Sequence, residues 1–216
     1  MMSILAGLKW SIGVLSIICI GMLCFGTVSA VMVSSPDVVK PGEEVSVYVG
    51  NLNVGVPVNV LISGNAKTDA GSPFSFGIHD LQLDLSILSP QLHVNMNGLV
   101  PNSWVNLSVN HLEGIEKIYP PEPVDANGVC DFTKIETALP KGTYHIDING
   151  TAARTQIPVT FEVSGTNGNP ETLAECNFNI VGLSNGVFDV TTRVGNPLQV
   201  VEKKQFTVQD QLIAIK

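Results

Sequence analysis

The chain predicts an all-β fold, an antiparallel β-sandwich with a C-terminal hairpin or strand extension, and three observations carry that expectation. Apolar residues recur at every second position in about a dozen short runs, the period of a strand with one buried face. Gly, Pro, Asn, Asp and Ser punctuate those runs at short intervals. No stretch after residue 30 keeps a helical period beyond one turn. The clearest region is 140–165, PKGTYHIDINGTAARTQIPVTFEVSG. Tyr144, Ile146 and Ile148 fall on one face and Thr143, His145 and Asp147 on the other; Ile157, Val159, Phe161 and Val163 then alternate with Pro158, Thr160 and Glu162. Asn149-Gly150 closes the first run and the polar residues 151–156 lead to the second, so the region predicts a long antiparallel hairpin.

The other elements follow in chain order. Lys9 precedes the apolar run 10–25, and Val28-Ser29-Ala30 offers small residues for a peptidase, so residues 1–30 predict a secretory signal peptide. The rival is an uncleaved anchor, because the apolar run approaches a bilayer-spanning length. Lys40-Pro41-Gly42-Glu43 turns into a strand with Val45, Val47 and Val49 inward. Val56, Val58, Val60 and Ile62 form the next, with Pro57 near its start because proline donates no ladder hydrogen bond. Residues 64–77 read as a loop; Leu81, Leu83, Leu85 and Ile87, then Leu92, Val94 and Met96, resume the alternation. Val105, Leu107 and Val109 point inward while Trp104, Asn106 and Ser108 point outward. Residues 113–117 allow one helical turn, stopped by the prolines of Tyr119-Pro120-Pro121-Glu122-Pro123. Asp125-Ala126-Asn127-Gly128 is a turn into a strand holding Cys130 and Phe132. After TNGNP at 166–170, Cys176, Phe178 and Ile180 pair as a second hairpin with Phe188, Val190 and Val194, and Phe206, Val208 and Leu212-Ile213-Ala214-Ile215 close the chain. The expected division is a signal at 1–30, a sandwich at 31–165 and a C-terminal β extension at 166–216.

Composition narrows the function. The 216 residues carry a formal net charge of −8, and all nineteen acids lie beyond the signal. An acidic surface of that kind disfavours nucleic acid and anionic membranes, so membrane contact is expected only in transit, through the signal segment. Charged residues make up only 14% of the chain, too few for a disordered chain of this apolar content. Cys19 and Cys24 belong to the signal, leaving Cys130 and Cys176 as an even pair in an exported protein and an expected disulfide.

Site chemistry is sparse. There is no C-x-x-C, H-E-x-x-H or phosphate-binding glycine loop. His79, His93, His111 and His145 are scattered singly; Asp69, Asp80 and Asp84 lack the alternating spacing and closing Glu of a calcium loop. The acid pairs Glu43-Glu44 and Glu113/Glu116 have no aromatic cleft around them for two-carboxylate sugar chemistry. The expectation is no enzyme, no cofactor and no metal. Two sequons, Asn106-Leu107-Ser108 and Asn149-Gly150-Thr151, place both asparagines on outward faces where a glycan has room, and Trp104 shares the face of Asn106.

The strands V-K-P-G-E-E-V-S-V and P-K-G-T-Y-H-I resemble those of secreted immunoglobulin-like modules. With the signal and the Asn/Val-rich composition, they resemble methanogen-type archaeal cell-surface proteins, including sheath-forming proteins that assemble through β-strands. That resemblance implies an extracellular structural protein of the cell envelope, a homopolymer forming a sheath or surface layer. The segments 58–62, 81–88 and 212–215 are β-prone and nearly uncharged, as strand-edge assembly requires. The run carrying Phe206, Val208, Leu212, Ile213 and Ile215 is the expected assembly strand. The alternative is an extracellular glycan- or protein-binding adhesion module, which predicts an aromatic patch and a dispersible monomer.

Overall fold

Alternating β-branched and aromatic residues can bury one face only by pairing into sheets and stacking two of them, and the computed structural model shows this arrangement. It describes residues 31–34, 38–40, 43–114, 116–169, 171–182 and 186–208; the signal segment and Leu212, Ile213 and Ile215 lie outside that range. The strands are β1 (Val31–Ser34), β2 (Val38–Val39), β3 (Glu44–Leu52), β4 (Pro57–Lys67), β5 (Pro73–Leu83), β6 (Ile87–Asn97), β7 (Trp104–His111) and β8 (Glu116–Ile118). They continue as β9 (Glu122–Pro123), β10 (Val129–Ile135), β11 (Ala138–Leu139), β12 (Gly142–Thr151), β13 (Gln156–Asn167), β14 (Glu171–Val181), β15 (Gly186–Val194) and β16 (Gln199–Val208). Sheet A has the order β1-β3-β14-β5-β12-β7-β8, with β9 also on β7; sheet B has the order β10-β6-β13-β4-β15-β16-β2, with β11 also on β6. All pairings are antiparallel except β16 with β2. The all-β sandwich expectation holds.

The connectivity departs from the expected hairpins. β12 pairs with β5 and β7 in sheet A, whereas β13 pairs with β4 and β6 in sheet B. Residues 140–165 therefore form an arch from one sheet to the other. The same holds for β14, which lies between β3 and β5, and β15, which lies between β4 and β16. From β3 to β7 the chain alternates sheet at every strand, and from β12 to β15 it does so again. Residue 165 marks no break: β13 runs through it, and β14 and β15 sit inside the two sheets. The C-terminal hairpin that forms is β15 with β16, in place of the expected β14 with β15.

Two further readings are corrected. The region 64–77 is mostly strand, with Phe74 and Phe76 in the core. Residues 116–118 form β8 instead of a helical turn. The turn at 125–128 is as expected: the Asp125 carboxylate accepts the backbone amides of Asn127 and Val129, and Gly128 takes φ +79°.

The core lies between the sheets. Phe76, Ile78, Tyr144, Ile146 and Ile148 from sheet A meet Leu92, Val94, Met96, Val159 and Phe161 from sheet B. At one rim β1 touches β16; at the other, β9, held on β7, touches β10. A residual cavity of about 60 Å³ remains, lined almost wholly by aliphatic and aromatic side chains. Thr192 is the polar exception, 1% exposed, and its Oγ1 has no hydrogen-bond partner.

Candidate functional site

Alternation that buries one face of sheet A pushes polar residues onto the other. His145, Asp147 and Asn149 of β12 stand beside Asn106 and Ser108 of β7, Ser75 and His79 of β5, and Asn179 of β14. The register across β5 slips here. Ile78 pairs with Ile146 and Leu81 with Tyr144, so His79 and Asp80 together oppose His145. Asp80 is the extra residue of this β-bulge and adopts φ 50°, a left-handed conformation that aspartate tolerates better than most.

The bulge gathers a polar cluster. His79 Nε2 lies 2.8 Å from Asp147 Oδ1, and His145 Nε2 lies 3.0 Å from Asp80 Oδ1. A carboxylate only accepts, so Nε2 carries the proton in each pair. The two imidazoles stack, with centroids 4.8 Å apart and planes 13° from parallel. Asn179 Nδ2 donates to Asp80 Oδ2 at 3.0 Å, which ties β14 to the same point. Gly77 is the floor: a Cβ there would lie 2.7 Å from His79 Nε2 and 2.8 Å from Asp147 Oδ1. Both Nε2 atoms are engaged by carboxylates, and among the described residues no three His, Cys, Asp or Glu converge as a metal site requires. The cluster ties three strands together with hydrogen-bonding side chains and contains no activated nucleophile. The sequence reading missed it because the four residues belong to strands 65 or more positions apart.

Both sequon asparagines are on this outer face, and they are direct cross-strand partners: Asn149 pairs with Asn106. Asn106 is exposed and Asn149 half-buried. Trp104, 58% exposed, stands on the same face two residues along β7.

Sheet B carries a polar chain across its own outer face. His93 Nε2 lies 2.8 Å from Asp131 Oδ1 and its Nδ1 lies 3.6 Å from Glu162 Oε2; Glu162 accepts from Asn59, and Asn59 Oδ1 accepts from Arg193 at 3.3 Å. The hydrogen bond from His93, then that from Asn95, holds the Asp131 carboxyl below its usual range.

A groove of about 320 Å³ opens at the rim where β7, β8 and β12 meet the β10–β11 connection. Val109, Leu139, Pro140 and Tyr144 form its apolar wall. Glu136 receives Lys117 Nζ at 2.5 Å and the Tyr119 hydroxyl at 2.6 Å. Burial pushes the Glu136 carboxyl up, but Lys117 and Tyr119 outweigh it and leave it below its usual range. Tyr144 donates to the Pro140 carbonyl at 2.7 Å, and burial pushes its hydroxyl up to about 12. His111 stacks on Tyr144 at 4.7 Å and sits close over Gly142.

The expected disulfide is corrected. Cys130 is a free, buried thiol on β10, at the edge of sheet B, while Cys176 lies on β14 in sheet A between β3 and β5. Burial, then the nearby Glu122, Asp131 and Asp125 charges, push the Cys130 thiol up to about 11. Phe206 and Val208, the described residues of the expected assembly strand, have their side chains in this chain's own core. They are 0% and 2% exposed, and Phe206 stacks on Phe188 within its own sheet.

These features define an all-β, two-sheet sandwich with polar outer faces and open rims. No family model and no curated protein matches the chain. Among solved structures, it is similar to a chain in the structure of infectious bursal disease virus Gx strain, at 12% identity and a TM-score of 0.27. That match covers 83% of this chain and 42% of that one, so this chain spans less than half of its length. A superposition this loose adds nothing to what the strands themselves show.

Proposed function

We propose that this is an exported structural protein of the cell envelope, self-assembling through strand edges into a sheath or surface layer. The observation that supports it best is the position of the rims. Sheet A ends in β8 on one side and β1 on the other; sheet B ends in β10 on one side and in β16, with the two-residue β2, on the other. Because β9 touches β10 and β1 touches β16, both sheets open at the same two opposite rims. Unpaired strand edges are templates for another chain, and two different opposed edges join head to tail without closing. Exposed apolar residues gather there as well: Ile118 and Ile135 at one rim, Val38 and Val200 at the other. Strand-edge pairing requires no catalytic constellation.

The alternative, a glycan- or protein-binding adhesion module, draws on the hydrogen-bonding outer face of sheet A with Trp104 beside it. The two readings differ in particle mass. Light scattering and electron microscopy of the mature protein, with and without denaturant, are expected to show extended particles that dissolve in denaturant. A protein that stays monomeric at high concentration overturns the assembly reading.

A further inference from the structure

We infer that the rim groove between β7, β8, β12 and the β10–β11 connection is the acceptor for residues 212–215 of a second copy of this chain. The inference rests on the assembly reading and names the contact that would drive it. Ile118 and Ile135, 70% and 71% exposed, are the most exposed large apolar side chains of the described residues. Each is next in sequence to a residue lining the groove: Ile118 to Lys117 and Tyr119, Ile135 to Glu136. Successive strand residues face opposite ways, so these isoleucines flank the groove without lining it and add exposed apolar surface next to its apolar wall.

Geometry selects the occupant. β16 ends at Val208 on the opposite rim. Fully extended, Leu212 and Ile213 reach no more than about 14–18 Å from Val208. The groove is lined on the sheet B side by β11, which pairs with the far side of β6 and is therefore five strand spacings from β16, about 24 Å in the plane of the sheet alone. A copy therefore cannot place Leu212 and Ile213 in its own groove, which leaves a second copy to supply them. A groove of about 320 Å³ matches a few aliphatic side chains, as Leu212, Ile213 and Ile215 offer. Charge agrees: Glu113 and Glu116 are exposed beside the groove, and Lys216 follows the apolar residues. In this mode an extended segment is held by its main chain while alternate side chains enter pockets.

Complementation of two defective full-fold variants tests the contact. Deletion of residues 211–216 removes the donor and leaves the groove. Ala138→Arg fills the groove from an exposed position and leaves the donor. Pro140→Arg, also exposed and lining the groove, is a second acceptor variant should Ala138→Arg fail to fold. By sedimentation, each variant alone is expected to be monomeric, and an equimolar mixture of donor-less and acceptor-blocked chains is expected to double in mass. Acceptor variants that still polymerise overturn the groove assignment and leave self-assembly standing. A mixture that remains monomeric also overturns it. An unaltered chain that is itself monomeric overturns the assembly reading and this inference together.

Discussion

At the scale of single residues, the most informative position is the one that breaks its own pattern. Thr192 has its strand's inward phase, pairs with Val60 and Glu202, and carries a hydroxyl with no partner into an otherwise apolar lining. A buried hydroxyl without a hydrogen bond costs about 1–3 kcal/mol, and valine has nearly the same shape. Thr192→Val is therefore expected to raise stability by roughly 1 kcal/mol or more, read as a higher urea midpoint with an unchanged slope. A lowered midpoint would mean that the hydroxyl has a partner. Phe161 and Thr160 behave as their alternation requires: Phe161 is 1% exposed and Thr160 lies on the half-exposed outer side. Cys130 shows the limit of such reasoning. Export and an even count suggest a bond, but a thiol can be bonded only if its partner is within reach across the fold, and neither count nor compartment contains that information.

At the scale of elements, the faces of strands were legible and their partners were not. Tyr144, Ile146, Ile148, Ile157, Val159 and Phe161 are all buried, as their spacing requires. A hairpin and an arch nevertheless share the same alternating pattern. In the first, two strands pair edge to edge; in the second, they face each other across the core, and both bury every second residue. The bulge in β5 did leave a trace. Phe74, Phe76 and Ile78 occupy even positions and Leu81 and Leu83 odd ones, so the inward phase slips by one residue between them, at His79 and Asp80. A loop reading of 64–77 hid the first half of that pattern. The bulge also makes a prediction at Gly77, where a methyl group would fall within 3 Å of His79, Asp147 and Val181. Gly77→Ala is expected to part His79 from Asp147 and lower stability by roughly 1–3 kcal/mol, the usual cost of overpacking. Ser75→Ala, two residues along the same face, serves as the control. Equal midpoints for the two variants would show that the face yields without strain.

At the scale of the whole molecule, the alternation of the chain between sheets decides how its parts depend on one another. Cleavage after Arg154, exposed in the β12–β13 connection, divides the chain into a piece with β1 to β12 and a piece with β13 to β16. In a fold built of successive hairpins, those pieces would be separate halves. Here β13 lies between β6 and β4, and β14 lies between β3 and β5, so the pieces interlock like the fingers of two clasped hands. Neither can leave without breaking both sheets at their centres. Limited tryptic digestion is therefore expected to yield a protein that runs as two bands on a denaturing gel yet elutes from a sizing column at the mass of the uncut chain. Pieces that part in plain buffer would show that the interdigitated strands do not hold them. In the surface-layer role proposed above, such a weave means that a severed backbone is not a lost subunit.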